Sequence, residues 1–219
     1  FRTFGADVKT DDLIADLSGK LSPTPARAGA APLYWGVGAG ALVSAGLMLG
    51  WLGPRPDLMG AMHTSPFWMK FGYTLAFAVL AFWAALRLAH PGAPARTAMR
   101  AILLPVAGMI GLAALQIALS HGVTAPMFYG VSHDVCPERI FVMALPIFAG
   151  SLWGLRRLAP TRLALTGGIA GLLAGAAGAW IYAFACEENG ALFVSVWYTL
   201  GIVSVGLLGA ALGRLALRW

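Results

Sequence analysis

Two cysteines occur in the 219 residues, Cys136 and Cys186, and thiol sulfur serves both redox exchange and soft metal ions. Cys136 opens the run Cys136-Pro137-Glu138-Arg139, and Cys186 lies in Ala185-Cys186-Glu187-Glu188, each at the edge of a long apolar stretch. Thiols at matching ends of neighbouring helices reach one another when their Cα atoms are about 4.4 to 6.8 Å apart. Closing the loop of about fifty residues between them would stabilise by roughly 4 kcal/mol on a chain-entropy account, an upper figure in a membrane that already restricts the chain. A static disulfide, two inert buried thiols, and a redox or metal switch all fit this pattern. His121, His133, Asp134, Glu138, Glu187 and Glu188 are expected on the same face, which makes Cys136, Cys186, His133 and Glu187 a candidate metal set. Their spacing matches no closed zinc pattern.

The elements that must position these sulfurs are membrane helices. With 59% apolar and 11% charged residues and a mean hydropathy of +0.76, the chain exceeds what a soluble domain of this length hides in a core. A helix needs about 20 apolar residues to cross a hydrocarbon layer roughly 30 Å thick. Six stretches qualify, predicted over Pro32 to Gly53, Phe67 to Ala89, Ala101 to Ser120, Arg139 to Trp153, Leu163 to Ala185 and Leu192 to Leu215. They are continuous apolar runs, without the alternation of a membrane barrel. The expected fold is therefore an all-α integral membrane protein, with a membrane domain over 32–219 preceded by an N-terminal segment, 1–31. A loop as short as Ala159 to Arg162 makes the fourth and fifth spans antiparallel neighbours, which sets both cysteines at one mouth of the bundle.

Basic residues orient the bundle. Arg2, Lys9, Lys20, Arg27, Arg87, Arg96, Arg100, Arg156, Arg157, Arg162, Arg214 and Arg218 fall on one side, against Arg55, Lys70 and Arg139 on the other. Both termini are thus expected in the cytoplasm and the cysteines on the oxidising outer face of a bacterial inner membrane. The net charge of +6 is read as this orientation signal plus attraction to anionic lipid. No basic stripe interleaved with aromatics points to direct nucleic-acid binding. The first thirty residues are polar and lack a short apolar run before a cleavage site, so internal spans are expected to direct insertion. Residues 1–7 read as an upstream or added extension.

Residues 10–21 predict a short amphipathic helix. Thr10 is placed as its N-cap, Asp11 and Asp12 favour the positive end of the dipole, and Gly19 or Pro23 ends it. Leu13, Ile14, Leu17 and Leu21 share one face, with Asp12 and Asp16 on an acidic flank. A helix this short needs a surface to pack on. That surface is the membrane, the bundle, or a groove on a cytosolic protein with basic edges. Ser22 to Ala31, rich in Pro and Ala, would be its tether.

Elsewhere, packing explains most features. Gly36 and Gly40, Gly167, Gly171 and Gly175, and Gly209 and Gly213 recur at four-residue spacing and predict close helix contact. Trp51, Trp68, Trp180, Trp197, Tyr182 and Tyr198 suit an aromatic belt. Lys70 is expected to snorkel outward from the second span, with an intramembrane functional charge as the other reading. His90, before Pro91, is placed on the cytoplasmic side, and Pro105 and Pro146 are candidate kinks. No catalytic motif, Cys-x-x-Cys or buried carboxylate pair marks an enzyme or an ion-coupled path. A membrane thiol oxidoreductase would be expected to carry a second exchanging pair, and for a small-solute or metal transporter Gln116 and Thr166 are thin support.

Taken together, Lys9-Thr10-Asp11-Asp12-Leu13-Ile14, the six spans, Cys136 with Pro146 in the fourth, the Gly-rich fifth ending in Cys186-Glu187-Glu188, then Phe193, Trp197-Tyr198, Gly209, Gly213 and Arg218-Trp219 resemble the NrsF family of bacterial transmembrane anti-sigma factors. The resemblance covers about residues 8 to 219. It implies a non-enzymatic inner-membrane negative regulator, without a cofactor, that holds an extracytoplasmic-function sigma factor of the sigma F type. It also implies a periplasmic pair, Cys136 and Cys186, linked with heavy-metal and oxidative stress. The docking residues would then be Asp11, Asp12, Leu13, Ile14, Asp16 and Leu17, with loops carrying Arg96, Arg100, Arg156 and Arg157 completing the surface.

Overall fold

The computed structural model describes residues 10–19, 30–89, 95–158 and 160–218. The extension expected at residues 1–7, Leu21, most of the tether and His90 lie outside them, as does the side chain of Leu13. Among the described residues the chain is helical without strands. Six helices are long and apolar enough to cross a membrane: α2 (Ala31–Leu52), α4 (Ser65–Leu88), α5 (Ala95–Leu119, its span Arg96–Leu119), α7 (Cys136–Arg156), α8 (Leu163–Tyr182) and α9 (Ala191–Ala216). Three short helices complete the set: α1 (Thr10–Gly19), α3 (Leu58–Ala61) and α6 (Ala125–Tyr129).

The third span begins at Ala95, six residues before its expected start at Ala101, and the fourth runs three residues past its expected bounds at each end. It begins at Cys136, because Pro137 occupies the first turn, where a missing N–H costs nothing, and it runs past Pro146 to Arg156. The cysteine is therefore the first residue of a membrane helix. In α1, Asp11 and Asp12 occupy the first turn, and the described helix runs to Gly19. Thr10, expected as the N-cap, is already helical, a difference within the ordinary uncertainty of helix ends. Ile14 and Leu17 are both exposed, as are Asp11, Asp12 and Asp16.

The fifth span is the most enclosed and the third the least, so α8 is the axis around which the others gather. Glycine brings it there. A Cβ on Gly171 would strike Val205 O, and one on Gly209 would strike Gly167 O, so α8 and α9 touch backbone to backbone. On another side of the bundle, Gly36 of α2 meets Gly150 of α7, and a Cβ at Gly40 would lie 2.6 Å from Pro146 O. Such approach is the main source of attraction between helices in lipid, where no hydrophobic force joins them. Ser44 adds a buried crossing hydrogen bond, donating to Met143 O at 2.6 Å. Gly178 closes α8 onto α7, with Ala144 N 2.8 Å from where a Cβ would stand. The fourth and fifth spans are thus packed neighbours, as the short connection required.

Each of two spans contains one turn of π-helix, Met48–Leu52 and Val194–Tyr198. The second lies at the cysteine end and ends on Tyr198. π-turns of this kind are frequent at functional sites.

Candidate functional site

Cys136 is fixed by the first turn of α7, where its amide donates to Ser132 O at 2.9 Å. Cys186 follows α8 by one turn, its amide donating to Tyr182 O at 3.1 Å. Both are free thiols and both are buried. The two thiols interact with one another. The structure thus brings the pair together, buried beneath the loops at one mouth of the bundle.

The cradle around them was only partly legible in the sequence. Lys70, expected to snorkel, is instead fully buried. Its Nζ donates to Cys186 O and Glu188 O, each at 2.8 Å, and stands 5.9 Å from the centre of the Tyr198 ring. The physical reason is supply: the turn after α8 offers carbonyls with no helical partner, and a buried ammonium stays only where such acceptors gather. The signal was present, since a charge one turn inside a span is by default a functional candidate.

Arg55, in the loop after α2, reaches the same turn. Its amide donates to Phe184 O at 3.0 Å, and its Nη1 donates to Cys186 O at 3.3 Å and Asn189 Oδ1 at 3.4 Å. The rest of the guanidinium grips Asp57 as a two-pronged fork, at 2.6 and 2.8 Å. That fork holds the Asp57 carboxyl below, and raises Arg55 above, their ordinary values. A third tie comes from the loop before α7. Glu188 Oε1 accepts from Val131 N at 2.6 Å, and Gly130, with φ +57°, lets the backbone pass where a Cβ would strike the same carboxylate.

Tyr182 and Tyr198, expected in an aromatic belt, are buried in the bundle with rings 6.0 Å apart. The Tyr198 hydroxyl lacks a well-formed hydrogen bond and interacts electrostatically with the Cys186 sulfur. Tyr182 is paired with Arg139. Trp51 and Trp68 are exposed as a belt requires, whereas Trp197 is half-buried, its Nε1 donating to Phe128 O at 2.8 Å.

Of the candidate metal set, the two thiols meet. His133 is stacked between Tyr129 and Trp197, at 5.1 and 5.4 Å, and Glu187 is exposed. Among the described residues no three of His, Cys, Asp and Glu stand where they could share a metal ion. His121 is exposed on a left-handed turn, φ 56°. Gln116 serves the fold: its Oε1 accepts from Leu192 N at 2.9 Å and satisfies one free amide at the start of α9.

Chemically, the arrangement is a pair of interacting thiols beside a fixed cation. The hydrogen bond from Cys136, and secondarily Lys70, lower Cys186 below the ordinary thiol value, against the opposing effect of burial.

The family model described as NrsF, negative regulator of sigma F, matches residues 17–219. The chain is 37% identical over 213 residues to a protein of Azospira oryzae named probable anti-sigma-F factor NrsF, covering 97% of this chain and 100% of that one. It is 35% identical over 224 residues to the anti-sigma-F factor NrsF of Caulobacter vibrioides, again 97% and 100%. No solved structure matches the chain at significance.

Proposed function

The chain belongs to the NrsF family of negative regulators of sigma F, and from that premise we propose that it is an inner-membrane anti-sigma factor with both termini in the cytoplasm. It holds an extracytoplasmic-function sigma factor of the sigma F type and releases it when the Cys136 and Cys186 pair is oxidised or takes up a soft metal ion. The observation that carries the sensing half is the contact between two buried thiols on different spans, tied through one turn to three other segments. Joining the sulfurs as a disulfide removes two protons and gives two electrons to an oxidant arriving from the periplasm, and it replaces a non-bonded contact with a covalent bond of about 2.05 Å, which in this reading changes how α7 packs against the turn after α8.

The sigma-facing half rests on α1. Ile14 and Leu17 are exposed beside Asp11, Asp12 and Asp16, the pattern of a helix that anchors in an apolar groove with basic edges. To move sigma from nearly all bound to nearly all free, the two states of the bundle must differ by about 5.5 kcal/mol in sigma affinity. The test is the binding of the cognate sigma factor to the solubilised protein, wild type against Cys136→Ser/Cys186→Ser, with and without oxidant, reductant and cadmium. Binding that the wild type loses on oxidation or metal, and the double variant keeps, supports the proposal. No sigma binding in any state overturns it.

A further inference from the structure

At the end of α8 remote from Cys186, beside the close contact of Gly213 with Leu163, the surface of α8 and α9 carries a cleft of about 650 Å³ lined by Arg162, Leu163, Leu165, Arg214, Leu215 and Arg218. Three other arginines at this end are engaged. Arg156 Nε donates to Ala216 O, Arg157 lies 4.5 Å from the centre of the Trp153 ring, and Arg87 lies 5.0 Å from that of Trp83. The guanidinium groups of Arg162, Arg214 and Arg218 make no hydrogen bond or ion pair among the described residues. Among the described residues beyond α1, no carboxylate side chain stands at this end to answer them. Beyond α1 the acidic residues are Asp57, Asp134, Glu138, Glu187 and Glu188, all at the cysteine end.

The cleft also has a continuation. Ala164 and Leu165 line a second, narrower furrow of about 290 Å³, which follows α8 and α9 past Gly168, Gly206 and Ala210 toward the middle of the membrane. Small residues keep it open, and its walls are almost wholly apolar. A basic mouth at the helix ends that opens into an apolar furrow along the span asks for a ligand with an anionic head and a hydrocarbon tail.

We propose that this groove binds one anionic phospholipid, its phosphate on Arg162, Arg214 and Arg218 and an acyl chain in the furrow. Guanidinium groups present paired donors to phosphate oxygens, and basic pockets between membrane helices are recurrent headgroup sites. A zwitterionic lipid would bring its own cation against three arginines. A free phosphate or an acidic peptide would satisfy the arginines and leave the furrow unfilled, and the furrow favours the lipid. The site also lies on the helix that leads to Cys186, so its occupant would brace the axis of the bundle.

Native mass spectrometry of the full chain released from detergent, in mixtures of phosphatidylglycerol and phosphatidylcholine, tests this. The wild type is expected to retain phosphatidylglycerol at least about tenfold over phosphatidylcholine, with glycerol phosphate competing poorly because it lacks chains. Arg162→Gln/Arg214→Gln/Arg218→Gln is expected to bring the two lipids to parity. Ala164→Trp, which blocks the junction and leaves every arginine in place, is expected to remove the preference too. Equal retention of both lipids by the wild type overturns the proposal, as does an unchanged preference in either variant. Loss of sigma binding in the triple variant with lipid preference intact would give the cleft to a protein partner and overturn it as well.

Discussion

Lys70 Nζ donates to the carbonyl of Cys186 across 2.8 Å, from the second span to the turn that follows the fifth. The link joins residues 116 positions apart, and the two cations, Lys70 and Arg55, converge on one carbonyl oxygen. Cys186 is therefore held by its backbone on one side and by Cys136 on the other.

Lys70→Met should destabilise the bundle by about 2 kcal/mol. Two charge-assisted hydrogen bonds are lost, each worth roughly 1.5 to 3 kcal/mol, and relief from burying the charge offsets part of this. Thermal unfolding in detergent measures the change, and an unaltered midpoint would show that the buried amine contributes only specificity.

Alkylation of Cys186 should reach its plateau at lower pH than that of a free cysteine, whose ordinary value is about 8.5. The folded value is lowered, so the thiolate is favoured by the fold. The associated stability is fully present above the unfolded value and is lost as pH falls through the folded one. Mass-spectrometric labelling against pH reads this directly, and Lys70→Met should shift the profile upward. A wild-type profile at or above that of a free thiol would contradict the cradle.

Gly40→Val should prevent folding or cost more than about 3 kcal/mol, because its Cβ meets Pro146 O at 2.6 Å, which is backbone and cannot yield. Gly38→Ala, on the exposed face of the same helix opposite Gly36 and Gly40, has nothing within 4 Å and should be neutral or slightly stabilising. Size-exclusion profiles and melting curves of the two variants provide the comparison.

Ile14→Asp/Leu17→Asp should weaken sigma binding by at least about thirtyfold, the loss of two apolar anchors, while leaving bundle stability unchanged. Both side chains are exposed, so a fall in melting temperature would instead place α1 on the bundle.

The spans were readable because twenty apolar residues in a row admit few other structures, and the glycine spacing told which faces approach. The adjacency of Cys136 and Cys186 followed from topology: one short connection and two matching helix ends. Lys70 was misjudged for a physical reason. Snorkelling depends on what lies around the side chain, and the carbonyls that retain it belong to residues 116 and 118 positions downstream. Tyr182 and Tyr198 fit a belt by depth alone, yet rotation about each helix axis, which for Tyr198 is set by a π-turn that one sequence does not reveal, turns both inward. Arg55 looked like a loop cation, and only the fold supplies its acceptors.

The seal over the thiols carries a consequence in time. Neither sulfur meets solvent until the turn at Cys186 parts from Lys70, Arg55 or Glu188, so a reagent reacts only during such openings. When opening and reclosing outpace reaction, the rate scales with both the open fraction and the dose. When dose is high, opening itself sets the pace. The three ties would thereby act as a delay element, passing sustained exposure and discarding brief pulses, with the lag adjustable one hydrogen bond at a time.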